Sequence, residues 1–325
     1  MVSPACLRRA TQKVTSKSTI PGVHVGGPHV LWKRIENSFL IGVPLIGSGF
    51  AVHHAFAYGV TAIDVTSFLL FFFLVGLGVS LGLHRLFSHS SFEPRAPIAY
   101  FLGAMGTMAF QGSIRRWVAD HRRHHAHADQ EGDVHSPRAD PWGQDIAGWR
   151  GFVHAHIGWM FDNTATDMSV YGKGLMEDPV ISFFTRTHAL WLAASLALPY
   201  GFGYLLGGPE TAYSSLLFGG FLRTTVLHNV VWSVASFGHS VGDRNFEQDN
   251  SSTNIYILAL LTLGDGWHNN HHRFPRSYRH GLYAGEIDFN ARFVEFLHRR
   301  GWAQNLIDSS EIERTQIRTS EQIAR

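Results

Sequence analysis

VTSFLLFFFLVGLGVSLGL, Val65–Leu83, carries no charge and passes straight into HRLFSH, His84–His89. An apolar run of this length suits a helix crossing the roughly 30 Å hydrocarbon core of a bilayer. The two histidines that follow it are good ligands for divalent transition metals. The stretch therefore reads as a membrane helix that delivers metal ligands to one membrane face. A second apolar run, FLIGVPLIGSGFAVHHAFAYGV (Phe39–Val60), precedes it, and Thr61–Asp64 between them suits a tight helix–helix turn. Another pair lies further on: HALWLAASLALPYGFGYLL (His188–Leu206) and AYSSLLFGGFLRTTVLHNVVWSVASF (Ala212–Phe237), joined through GGPET. Both turns lack Lys and Arg. The N-terminal segment carries Arg8, Arg9, Lys13, Lys17, Lys33 and Arg34, and the long central and C-terminal segments are also basic. The positive-inside rule then predicts cytoplasmic termini and a cytoplasmic central segment. The expected fold is all-α and integral to the membrane, with four transmembrane helices at about 39–60, 65–83, 188–206 and 212–237 under a cytosolic helical cap.

Histidines populate that cytosolic face. HRLFSH supplies His84 and His89; HRRHH supplies His121, His124 and His125; HNNHH supplies His268, His271 and His272; His239 stands alone after the fourth span. The topology places all nine on one side. Four imidazoles satisfy one tetrahedral zinc, so nine are too many for one metal and suit two at four or five ligands each. In HRRHH and HNNHH the i, i+3, i+4 spacing stacks the outer pair on one helix face with the third beside it. His84 and His89, five apart, diverge by roughly 140° on an ideal helix, so a helix end or bend is expected inside HRLFSH. All-imidazole ligation leaves the metal charge uncompensated, and Asp129, Asp133 and Asp265 are the nearest carboxylates to stand behind the ligands.

Composition agrees. Hydrophobic residues make up 45% and charged residues 16%, below the roughly 25% of soluble domains. The net charge of +2 does not suggest a nucleic-acid partner. The single cysteine, Cys6, excludes an internal disulfide and a cysteine-bound iron–sulfur cluster. The N-terminus has no apolar h-region, so no cleaved signal peptide is expected. Gly78 and Gly82 in the second span permit close helix packing and do not form a dinucleotide fingerprint. There is no HExxH for zinc hydrolysis and no Glu-x-x-His pair of the soluble di-iron bundles. Of the other histidines, His53, His54 and His188, in or beside spans, read as hydrogen-bond partners of other helices, and His24, His29, His280 and His298 as ordinary polar residues.

HRLFSH, WVADHRRHH and GDGWHNNHHRFP, in this order, resemble the three histidine boxes of the membrane fatty-acyl desaturases, most closely the stearoyl-CoA or acyl-CoA delta-9 group. DQEGDVHSP, GFVHAHIGWMF and WSVASFGHS are similar to that group too, and the likeness covers about residues 35–300. The resemblance implies a non-haem di-iron centre held by the nine histidines. It implies insertion of a cis double bond into a saturated acyl chain, with oxygen and two external electrons. The organisation is then a cytosolic segment, 1–36; a desaturase domain, 37–300; and a polar C-terminal tail, 301–325. Acyl-CoA is the expected substrate, with an acyl-lipid or acyl-carrier protein as other carriers. The expected electron donor is a ferredoxin or cytochrome b5 with its reductase, as no redox module is recognised in the chain. In the family an asparagine four residues before the lone histidine holds a water on one iron. Here Ala235 stands there, with Ser236 beside it as a possible substitute. The family's GEG-His glutamate is Asp265 here. Asp120 matches a family position near the acyl-carrier head group. Arg115, Arg116, Arg122, Arg123 and Lys173 are candidates for CoA phosphates or for anionic lipid head groups. Trp117, Trp142, Trp149, Trp159 and Trp267 are candidate tunnel walls. A di-iron hydroxylase or alkane monooxygenase shares the same boxes. A non-catalytic haem- or metal-binding membrane protein would leave most of the nine histidines unused.

Overall fold

The computed structural model describes residues 20–146 and 148–309; Cys6, Arg8, Arg9, Lys13 and Lys17 lie outside them. In chain order the elements are β1 (Val23–Val25), α1 (Gly27–Tyr58), α2 (Ala62–Ser88), β2 (Glu93–Pro94), α3 (Ala96–Thr107), α4 (Ile114–His127), α5 (Trp149–His156), β3 (Thr164–Thr166), α6 (Pro179–Arg186), α7 (His188–Ser236), α8 (Tyr256–Leu261), α9 (His268–Arg273), α10 (Phe289–Arg299) and β4 (Ala303–Gln304). The strands form two small antiparallel pairs, β1 with β3 and β2 with β4. Among the described residues, three helices are long and apolar enough to cross a membrane: α1, α2 and α7.

α7 spans 49 residues but is not one straight rod. Gly208 leaves helical geometry at φ 78°, ψ −163°, and Pro209 follows it within GGPET. The chain folds back there. A Cβ on Gly203 would touch Thr211 and Ser215, Gly220 faces Leu196, and Arg223 Nη2 donates to Ser195 Oγ at 2.9 Å. An inbound arm, 188–207, thus packs antiparallel to an outbound arm, 209–236. Pro199 cannot donate a backbone hydrogen bond, which frees the Ser195 carbonyl. Arg223 Nη2 reaches that carbonyl at 3.3 Å, so a buried arginine serves the proline site of the opposite arm.

α1 begins at Gly27, earlier than the span expected from Phe39, so the boundary expected at residue 36 falls inside a helix. The added turns are held by polar contacts. Lys33 Nζ donates to Asp162 Oδ1 at 2.6 Å, and Asn37 Nδ2 donates to the Met160 carbonyl at 2.9 Å. α2 opens on a capping box. Thr61 Oγ1 accepts from the Asp64 amide, and the Asp64 carboxylate accepts from the Thr61 amide. The tail expected from residue 301 is also partly tied down. β4 pairs with β2, and Ile307 donates to the Ser91 carbonyl at 3.0 Å.

From Gly78 to Ser88, α2 widens into π winding, with hydrogen bonds from i to i+5. Two residues five apart then come close to one turn apart. His84 and His89 converge by this wider winding, and the helix ends on His89. The widened segment packs on α3, whose Ala104, with Met108 just after the helix, joins Val79, Leu83, Phe87, Ile114 and Leu227 in one buried cluster. The approach is tightest at Gly78. A Cβ there would collide with the backbone of Met105 and Gly106, and one on Gly106 would meet the Gly78 carbonyl oxygen at 2.8 Å. Backbone cannot rotate away as a side chain can. Gly78→Val is expected to lower stability by about 1–3 kcal/mol or more. Thermal unfolding in detergent checks this, and an unchanged melting temperature contradicts the packing described.

Candidate metal centre

The nine histidines meet in two adjacent groups. His84, His89, His121, His125 and His271 place one ring nitrogen each within 4.8 Å of one another, and His124, His239, His268 and His272 do the same. The helices interleave. α4 sends its i, i+4 pair, His121 and His125, to the first group and His124 to the second. α9 sends its i, i+4 pair, His268 and His272, to the second and His271 to the first. His125 and His272 stack across the two groups, with centroids 4.7 Å apart.

The nitrogens that face inward are Nε2. They lie 3.0 Å apart in His84–His271, 2.8 Å in His89–His121, 2.9 Å in His125–His271, 3.0 Å in His239–His268 and 3.3 Å in His124–His272. Three rings have their Nδ1 held by a carboxylate. His84 Nδ1 is 3.0 Å from Asp265, His124 Nδ1 is 2.8 Å from Asp133, and His239 Nδ1 is 2.8 Å from Asp129. A carboxylate only accepts, so each of these Nδ1 atoms carries the proton and each Nε2 presents its lone pair inward. Several lone pairs crowded into a buried space repel one another unless a cation lies among them. This donor set fits a pair of transition-metal ions, and imidazole suits iron, copper, nickel and zinc.

Electrostatics point the same way. Burial, aided by the neighbouring imidazoles, holds His89, His121, His125, His268, His271 and His272 well below the ordinary histidine value. They are neutral at pH 7, as metal ligation requires. Burial works against ionising Asp129, Asp133 and Asp265. Their partners His239, His124 and His84 nevertheless hold all three below the usual carboxylate range.

Further residues join this set without a sequence signal of their own. Arg85, fully buried inside HRLFSH, donates to Asp265 Oδ1 at 3.2 Å, to Asp288 Oδ2 at 2.9 Å and to the Tyr278 carbonyl at 2.7 Å. His280, read above as ordinary, is buried 3.3 Å from Asp265, and burial lowers its pKa to about 4. His135 packs 4.3 Å from the His124 ring, and burial takes it down to about 3. Asn269 and Asn270 of HNNHH bind the loop around Asn245 and the His280 carbonyl, bracing α9.

A cavity of about 140 Å³ runs beside both groups. Val79 and Ser80 of α2 line it, with Leu40 of α1, Leu227 and Val231 of α7, and His84, His121, His124 and His268. Trp117, Trp159, Arg116, Asp120 and Ala235 line it too. The remaining substrate candidates lie elsewhere. Trp267 is buried, with its Nε1 donating to the Ile287 carbonyl, and Trp149 is exposed. Arg123 is buried and donates to the Gly132 carbonyl at 2.7 Å. Arg122 approaches the Tyr171 and Lys173 carbonyls, and Lys173 itself is exposed. Arg115, Trp142 and Lys173 are not part of the cavity wall. Ser236 turns away from it, bonded to His156 Nδ1 at 2.9 Å and to the Trp232 carbonyl. It therefore does not offer its hydroxyl beside Ala235.

This geometry agrees with the sequence comparisons. The family model described as Fatty acid desaturase matches residues 64–285. An sn-1 stearoyl-lipid 9-desaturase of Anabaena variabilis is 34% identical over 86% of this chain and 94% of its own. A hex-5-enoyl-[acyl-carrier protein] acetylenase of Moorena producens is 33% identical over 86% of this chain and 92% of its own. A probable acyl-CoA desaturase of Schizosaccharomyces pombe is 33% identical over 86% of this chain and 55% of its own. The chain belongs to the fatty acid desaturase family.

The acid response of the site follows from the buried neutral rings. Unfolded histidine binds a proton near pH 6.5, whereas these six resist it when folded. Below that pH the unfolded state binds more protons, so stability falls as pH falls. Protons also displace metal. Between pH 8 and pH 5 the melting temperature should drop and bound metal should be released, as followed by calorimetry and elemental analysis. A flat profile in both contradicts the neutral, inward-facing arrangement.

Proposed function

We propose that the chain is an integral-membrane fatty-acyl desaturase that inserts a cis double bond at the delta-9 position of a saturated acyl chain, using oxygen and two external electrons. The observation that carries this reading is the cavity whose wall joins apolar side chains of α1, α2 and α7 to histidines of both groups. The delta-9 position is supported by the relative named an sn-1 stearoyl-lipid 9-desaturase. α1, α2 and the two arms of α7 are read as four membrane crossings, with the termini, the histidines and the intervening helices on the cytoplasmic side.

The nine histidines are proposed to hold two irons, which when bound would supply the oxidising power to remove hydrogens from two adjacent methylenes. The protein's part is geometric. Asp265, Asp133 and Asp129 fix the tautomer and tilt of His84, His124 and His239. The apolar wall aligns the chain and excludes water. No side-chain acid or base is assigned. The acetylenase relative favours a second reading in which an existing double bond is oxidised further. Fatty-acid analysis of lipids from an expressing host separates the two, as a new monoene supports the first and an alkyne the second. Purified protein should turn over only when a ferredoxin or cytochrome b5 and its reductase are added. Turnover on NADPH alone contradicts the need for an external electron donor.

Ala235 and His239 sharpen the test. Ala235 faces the cavity, so Ala235→Asn is expected to keep iron and activity. His239→Ala should lose the double bond and part of the iron, because it removes one nitrogen of a four-nitrogen group. Ser236→Ala should change neither, because its hydroxyl serves His156. A fully iron-loaded, active His239→Ala protein would remove His239 from the ligand set.

A further inference from the structure

Where the outbound arm of α7 meets α8, the lining of the cavity reaches the surface: Leu261 lines it and is exposed, with the half-buried Val234 and Ala235 also in the lining. Leu261 is 45% exposed. The surface around this opening is apolar. Tyr256 and Ile257 of α8 are 48% and 67% exposed, and Phe237, just after α7, is 43% exposed. α5 packs Phe152 against Phe237, with ring centroids 4.7 Å apart, and leaves Trp149 73% exposed. Short helices with exposed Trp, Tyr and Ile are ill suited to water and well suited to a membrane interface.

Helix rise sets the depth. At 1.5 Å per residue, Ile41 lies roughly 26 Å along α1 from Tyr58, and Val230 roughly 32 Å along the outbound arm from Pro209. A hydrocarbon core of about 30 Å then ends near the cavity, with α5 and α8 at head-group level beyond it. Among the described residues that line the cavity, Arg116 is the only Lys or Arg. Its charge is met by Glu36 at 2.5 Å and Asp120 at 3.6 Å, and its Nη2 donates to Asn37.

We infer that the cleft between the outbound arm of α7 and α8 is a lateral portal, through which the acyl chain of a glycerolipid already in the bilayer reaches the histidines. The inference rests on the desaturase reading and names its carrier: a membrane lipid enters sideways, with its head group staying at the interface. Leu261 and Val234 form the threshold.

The test uses the full chain, iron-loaded, in liposomes with a reduced ferredoxin system. Labelled stearoyl chains are supplied either in phosphatidylcholine or as stearoyl-CoA. The expected result is a monoene still esterified in phosphatidylcholine. Leu261→Trp should slow that reaction by about tenfold or more, as a bulky ring misplaces the chain, with iron content unchanged. Independently of activity, phosphatidylcholine with a diazirine on its acyl chain should cross-link to α8 and the outbound arm, and Leu261→Trp should weaken those cross-links. Product from stearoyl-CoA alone overturns the portal and leaves the desaturase reading standing. So does a Leu261→Trp protein with unchanged phosphatidylcholine turnover and cross-links. No product from either carrier, in iron-loaded and reduced protein, overturns the desaturase reading and the portal with it.

Discussion

Nine imidazole lone pairs aimed into one buried space are the constraint around which this molecule is organised. The rings whose tautomer the structure fixes turn Nε2 inward because a carboxylate takes Nδ1. Those carboxylates must themselves stay ionised in a buried setting, which calls for donors behind them. Asp129 receives the amide and hydroxyl of Ser251 and the hydroxyl of Ser136. Asp265 receives Arg85, and Arg85 is shared with Asp288 at the start of α10. Buried ion pairs of this kind add little net stability relative to apolar packing. What they supply here is direction, because a guanidinium held by two carboxylates fixes His84 on α2 relative to the C-terminal segment.

The long helices meet the same constraint by departing from regular geometry where it is needed. Ideal α winding turns His84 and His89 apart, and the π segment of α2 brings them together. That widening requires α3 to approach closely, which Gly78 and Gly106 permit. In α7 the break at Gly208 folds the chain back, so that the outbound arm ends three residues before His239. Arg223 illustrates the cost of placing polar groups in an apolar bundle. It is buried, and it is kept by hydrogen bonds to Gly219 and Ser195 rather than by an opposite charge.

The long apolar runs and the i, i+3, i+4 histidines were legible in the sequence because both signals are periodic and local. Asp129, Asp133 and Asp265 were legible because they lie close to the ligands in the chain. What the sequence hid is set by tertiary packing. His280 and Asp288 come from beyond HNNHH and owe their place to the turn that brings them under Arg85. Trp267 was a candidate tunnel wall, but its ring is buried and its Nε1 donates to the Ile287 carbonyl. The basic cluster around HRRHH looked like a phosphate site. Arg123 instead braces the Gly132 carbonyl and Arg116 is met by Glu36, partners that no local pattern announces. α1 began earlier than its hydropathy because Lys33 and Asn37 trade solvent for Asp162 and Met160.

On the desaturase reading, these features together make regiospecificity a matter of helix rise. Val79, Ser80 and His84 line one cavity from one helix, so the distance from apolar wall to metal-facing nitrogen is set by backbone geometry rather than by a loop. The same holds on α7, whose Val230, Val231 and Val234 stand one or two turns before His239. A chain threaded between these two helices would be gauged on both sides by elements that run directly from the membrane arms into the ligands. The methylene nearest the histidines is then determined by how far the chain advances before the wall stops it. That depth is coupled to where the arms sit in the bilayer, so membrane placement and the position of the new bond become one structural quantity.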